Sequence, residues 1–149
     1  MAETQYTLDS TLQLKDAGAI KVSAAAQVGG SDQIIDLGAA AKVKGEVVID
    51  ATAIEIASND EHYQIVLEGS SASDFSATLE PLAQVSVGAK EVIPPGSTAY
   101  DTDSTAGRYI MPFTNERNGT VYRYLRLYTV CTGTMATGIN YTAWIAKRK

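Results

Sequence analysis

Residues 121–130, VYRYLRLYTV, and residues 139–146, INYTAWIA, carry the densest alternation in the chain and decide its fold class. Successive side chains of a strand point to opposite sides, so Tyr122, Tyr124, Arg126, Tyr128 and Val130 share one face. Val121, Arg123, Leu125, Leu127 and Thr129 share the other. The first face is aromatic with one cation, and the second is mostly aliphatic. In the second stretch Ile139, Tyr141, Ala143 and Ile145 alternate with Asn140, Thr142, Trp144 and Ala146, which sets Trp144 opposite Tyr141. The connection Cys131–Gly138 is made of small residues with two glycines, which suits neighbouring antiparallel strands and predicts a closing hairpin. Lys147-Arg148-Lys149 then ends the last strand in water.

Reading outward from this pair, Asn118-Gly119 is the strongest hairpin-turn signal in the chain and leads into the Tyr122 strand. Arg108–Phe113 reads as a strand with Pro112 near its end, preceded by an acidic Ser/Thr-rich loop from Tyr100 to Ala106. Val92-Ile93 runs into Pro94-Pro95-Gly96, which stops pairing and turns the chain. Phe75–Leu79 and Ala83–Val87 are two short runs separated by Pro81. Tyr63–Leu67 is a strand between the turn clusters Ala57–Glu61 and Gly69–Ser73. Val43–Ile56 alternates over its length, with a phase change near Ile54 that a bulge would restore. Ile34–Gly38 is a short strand ending in a glycine turn. Residues 1–30 are rich in Ala, Thr, Ser, Gln and Gly with scattered aliphatics, and they read as an arm. The division is thus residues 1–30 as an N-terminal arm and residues 31–149 as a β domain. About eight short strands without an amphipathic helix predict an all-β sandwich or barrel.

At 149 residues, 45% of them hydrophobic, the chain suffices for one compact domain. No apolar run approaches the roughly 18 residues of a membrane-spanning helix. The first residues lack the basic and apolar regions of a secretory signal, so the expectation is a protein that stays in the compartment where it is made. One cysteine can form no internal disulfide. The net charge of -5 is unevenly spread: residues 1–105 hold 5 Lys/Arg and 16 Asp/Glu, net -11, and residues 106–149 hold 7 and 1, net +6. Either the basic strands lie among acidic ones and pair across the sheet, or two surfaces of opposite sign are available for docking. Nucleic-acid binding is not expected of so acidic a chain.

No arrangement of catalytic type stands out, and the expectation is no enzyme, no cofactor and no metal. His62, the single histidine, falls in an Asn-Asp-Glu-His turn and reads as a solvated residue. Asp101-Thr-Asp103-Ser-Thr105 begins like a calcium loop, but Ala106 and Pro112 stand where the turn glycine and the bidentate glutamate belong. Cys131 has no histidine to act as its base and reads as a packing residue. The tyrosines are either a core stripe or an interface face, where Tyr and Arg are favoured anchors.

Ile35-Asp36-Leu37-Gly38-Ala39 after the N-terminal segment, Arg123-Tyr124-Leu125-Arg126-Leu127-Tyr128, Gly133, and Gly138-Ile139-Asn140-Tyr141-Thr142-Ala143-Trp144-Ile145 resemble the pattern of the capsid cement (decoration) proteins of tailed bacteriophages, of the Bordetella phage type. The resemblance runs from about Asp32 onward. It implies a jelly-roll-like antiparallel β-sandwich that oligomerises on the outer surface of the virion after synthesis in the host cytoplasm, and the aromatic face of Tyr122, Tyr124 and Tyr128 predicts a dimer or trimer. Its partner would be the major capsid protein, with no nucleic acid and no membrane. The candidate interface is Tyr122, Arg123, Tyr124, Arg126, Tyr128 and Trp144. An alternative from another class is a carbohydrate- or receptor-binding β-sandwich module of a virion, with Trp144 and the tyrosines as a stacking platform. A hydrolase on a β fold ranks last.

Overall fold

The computed structural model describes residues 6–39, 41–93 and 99–148. The Pro94-Pro95-Gly96 stop, Met1 to Gln5, and Lys149 lie outside them, as do the side chains of Lys147 and Arg148. The strands in chain order are β1 (Tyr6–Lys15), β2 (Ala19–Ile20), β3 (Ala24–Ala25), β4 (Gln27–Val28), β5 (Ser31–Asp32), β6 (Ile35–Asp36) and β7 (Lys44–Ile54). They continue with β8 (His62–Ser70), β9 (Glu80–Gly88), β10 (Gly107–Thr114), β11 (Glu116–Arg117), β12 (Thr120–Val121), β13 (Tyr124–Thr132) and β14 (Ile139–Arg148). No helix occurs among the described residues.

All the pairing is antiparallel, in two main sheets. The first has the order β1-β14-β7-β10, with β2 continuing the β1 edge along β14. The second has the order β3-β13-β8-β9, with β6 sharing the β3 edge along β13. Each sheet therefore has four strand positions. The chain alternates between sheets from one position to the next, except at the β8–β9 hairpin. That strand order is a jelly roll.

This topology corrects the expected terminal hairpin. β13 pairs with β8 in the second sheet and β14 pairs with β7 in the first, so residues 133–138 cross between sheets rather than turn within one. The alternation was real, but it put aliphatic faces of both strands into a shared interior. Leu125, Leu127 and Thr129 meet Tyr141, Ala143 and Ile145 there, and the hydroxyls of Thr129 and Tyr141 hydrogen-bond at 2.7 Å across the core. Val47, Ile49, Met111 and Phe113 line the same interior from the first sheet, and Tyr63, Ile65, Leu67 and Val87 from the second. Each such side chain fully buried contributes about 1.5–3 kcal/mol.

The expected arm is corrected as well. β1 forms the edge of the first sheet, from Tyr6 opposite Arg148 to Lys15 opposite Ala143. Leu14 is wholly buried and Ala26 nearly so, both within the core. Residues 6–30 are built into the sandwich.

Smaller differences have clear causes. The phase change in the long central strand is a bulge at Thr52, two residues before the expected point, because Asn140 faces Ala53 while Tyr141 faces Ala51. β9 runs through Pro81, which an edge strand tolerates because the missing N–H would face solvent. Asn118 and Gly119, with φ of 52° and 81°, form the tight turn read from the sequence. The ribbon they close is only β11 with β12.

Candidate interaction face

On the outer face of the second sheet, Tyr124, Arg126, Tyr128 and Val130 of β13 lie beside Ser70, Glu68, Val66 and Gln64 of β8. Tyr124 and Tyr128 are half-exposed, while Arg126 is drawn down onto the sheet. Its Nε donates to Glu68 Oε2 at 2.7 Å, and both side chains retain only 17% exposure. The guanidinium lies 4.4 Å from the Phe75 ring centre and 5.6 Å from that of Tyr128. Such stacked cations contribute about 0.5–2 kcal/mol.

Phe75 is the residue that sequence reading misplaced. Instead of starting a strand, it belongs to the loop joining β8 to β9, which folds back over the sheet and buries the ring. The loop is tied by Ser71 to Thr78 at 2.7 Å, by Ser76 to Asp74 at 2.6 Å, and by Phe75 N–H to Ala72 O at 3.1 Å. Phe75 has φ of 57°, a strained value for an aromatic residue, held because burial over Arg126 and the loop's own bonds over-determine it.

The six residues expected to form an interface are thus divided. Tyr122 lies before β13, buried against Gly69, with its backbone held by Asn115. Arg123 is exposed and forms a bidentate pair with Asp36 at 2.7 and 2.9 Å, its guanidinium 5.2 Å from the Tyr124 ring. Tyr124, Arg126 and Tyr128 make one row, in which Phe75 covers Arg126. Trp144 lies on the outer face of the opposite sheet, between Gln13 of β1 and Val48 of β7. A stacking platform of Trp144 with the tyrosines is therefore not assembled. The tyrosines divide too: Tyr63, Tyr122 and Tyr141 are buried, whereas Tyr124 and Tyr128 line the outer face.

No protein-family model matches the chain, and no curated protein does.

Where side chains are described, basic residues of the C-terminal part pair with acidic ones of the rest of the chain. Arg108 with Asp50, Arg117 with Glu80, Arg123 with Asp36 and Arg126 with Glu68 each join a basic residue after position 105 to an acidic one before it. The carboxylates at the loop end of the sandwich turn to backbone amides instead. Glu61, fully buried, accepts from Ser58 and Asp60 N–H, and Asp60 accepts from Thr134 N–H and Oγ1. His62 is also buried, at 5% exposure, rather than solvated. Its Nε2 has no hydrogen-bond partner, and its Nδ1 lies 3.4 Å from Thr132 Oγ1.

These groups set the acid response. Burial pushes the pKa of His62 down, so the folded state keeps it neutral while the unfolded chain protonates near its ordinary value of about 6.5. Stability is then lost as pH falls below about 6.5. The Arg123 guanidinium, with the Gly38 N–H, holds Asp36 down to about 2, and the amides of Gly138, Ala136 and Thr137 hold Glu55 below the usual carboxylate range. Their contribution is complete above the unfolded pKa of about 4 and is lost as pH falls below it, in the case of Asp36 toward about 2. Thermal midpoints are accordingly expected to decline in two stages with falling pH. His62→Gln should remove the upper stage and leave the lower one. A single decline beginning near pH 4 in the native protein would contradict the assignment to His62.

Proposed function

We propose that the protein is a capsid decoration subunit that binds the outer surface of a tailed-phage capsid and stabilises it by bridging major capsid protein subunits. The observation that carries this reading is the jelly-roll strand order, the fold that the cement-protein resemblance led one to expect. With residues 6–30 built into the sheets, bridging would rest on a face of the sandwich rather than on an arm of that length. The row of Tyr124 and Tyr128 flanked by Arg123 is the face of suitable chemistry, since half-exposed tyrosines beside arginine are favoured interface anchors. A ligand that binds only the assembled shell stabilises it by mass action, and many copies add. In solution the subunit is expected to be a dimer or trimer.

The test is cosedimentation of the purified protein with capsids assembled from the major capsid protein, across a range of salt. Saturable binding that weakens as the Debye length falls from about 30 Å to about 3 Å is expected. Arg123→Ala should remove most of the salt dependence. Arg126→Ala should chiefly lower thermal stability, by about 1–2 kcal/mol, because it unpairs Glu68 and unstacks Phe75. Absence of binding at any salt overturns the proposal.

A further inference from the structure

The crossover between the sheets contains a second chemical feature. Three successive backbone amides, those of Ala136, Thr137 and Gly138, point at one place, and the carboxylate of Glu55 fills it. Ala136 N lies 3.0 Å from both carboxylate oxygens, Thr137 N 2.7 Å from Oε2, and Gly138 N 2.6 Å from Oε2. Successive N–H groups converging in this way make an anion-binding concavity, favourable to any oxyanion of suitable size.

We infer that residues 136–138 form an oxyanion-binding nest whose resident ligand is the Glu55 carboxylate, and that a free carboxylate, sulfate or phosphate takes the same three amides when that side chain is removed. The nest does not depend on Glu55 for its shape. Gly138 has φ of 78°, and its Cα packs so closely on β2 that an added Cβ would fall 2.0 Å from Ile20 O. The next residue, Ile139, is held in register between Ile20 and Ile54. On the other side Thr134 is pinned twice to Asp60 at 3.0 Å. The Glu55 N–H also donates to Gly138 O at 3.1 Å, a backbone bond that Glu55→Ala leaves in place. A site held from both ends is preorganised, so an external ion has little ordering cost to meet.

The test compares the native protein with Glu55→Ala and Glu55→Gln, using sodium sulfate as the probe against sodium chloride at matched ionic strength. Glu55→Ala is expected to lower the thermal midpoint, and sulfate to restore at least half of that loss in a saturable way, as a ligand of the folded state does. In the same titration the amide resonances of Ala136, Thr137 and Gly138 should shift in the variant and stay fixed in the native protein. Glu55→Gln keeps a neutral acceptor over the amides, so should Glu55→Ala not fold, sulfate displacing that weaker ligand gives the same amide shifts at higher concentration. Equal sulfate stabilisation of native and variant chains, or variant shifts confined to other residues, overturns the inference.

Discussion

A chain beginning at Ser31 is expected not to fold. It would lack β1, and with it every backbone bond along one side of β14 from Ala143 to Arg148. It would also lack β2, β3, the buried side chain of Leu14 and the nearly buried Ala26. Truncating one buried leucine typically costs about 2–5 kcal/mol. Set against a whole-domain stability of about 5–15 kcal/mol, loss of Leu14 together with a sheet edge leaves no margin. Near-ultraviolet circular dichroism and calorimetry of the truncated chain should show no cooperative transition. A folded product with a thermal midpoint within a few degrees of the native one would mean that residues 6–30 are an appendage after all.

Lys15→Met is the point substitution with the largest expected effect. Lys15 is 3% exposed at the end of β1, and its ammonium donates to three carbonyls: Gly18 and Tyr141 at 2.8 Å, and Asp16 at 2.9 Å. The charge also lies 4.7 Å from the centre of the Tyr141 ring. Burial pushes the pKa of the amine down and Asp16 partly offsets this, while the three acceptors match its three donors. Methionine is an unbranched side chain one atom shorter, and it removes every donor. Each acceptor left buried without a partner costs about 1–3 kcal/mol, and those of Asp16 and Gly18 are partly open to water. A loss of about 2–4 kcal/mol is expected, which in a chain of this size lowers the midpoint by roughly 5–15 °C. A change below about 2 °C would show that water replaces the ammonium at little cost.

The sequence displayed the sandwich class because β13 and β14 alternate between a buried side and a half-exposed one. Alternation at Val47, Ile49 and Ala51, and at Leu125 and Leu127, marks the core directly, and Asn118-Gly119 marks its turn. Strand partners were not legible: nothing in Ile139–Ile145 says whether the strand lies beside Val121–Val130 or across from it, since both arrangements bury the same face. β1 was hidden because Thr7, Ser10, Thr11 and Gln13 dilute its leucines, and Leu14, the one fully buried aliphatic among its described side chains, is too weak a pattern to read. Lys15 was hidden for the opposite reason, because a lysine followed by Asp-Ala-Gly reads as a solvated turn. Its burial depends on the carbonyl of Tyr141, 126 residues away. The tyrosine row was half legible. Tyr124, Arg126 and Tyr128 do share a face, but Phe75 over Arg126 is a tertiary contact from a loop whose polar residues carry no period.

The position of β14 has a further consequence, for the order in which the molecule is made. The most C-terminal strand described lies between β1 and β7, so a growing chain holds both neighbours before it holds the strand that joins them. Until residues 139–148 leave the ribosome, the core-facing side chains of β1 and β7 have no sheet in common, and their facing edges are open to pairing with other chains. At about 5–20 residues per second, the second sheet can gather β8 with β9 and then β13 while the first still waits for its centre. Long-range pairings of this kind are also the slow ones to form. The nascent protein therefore passes through a half-assembled stage before β14 emerges, when a chaperone bound to the open edge of β7 would do most to prevent misassociation.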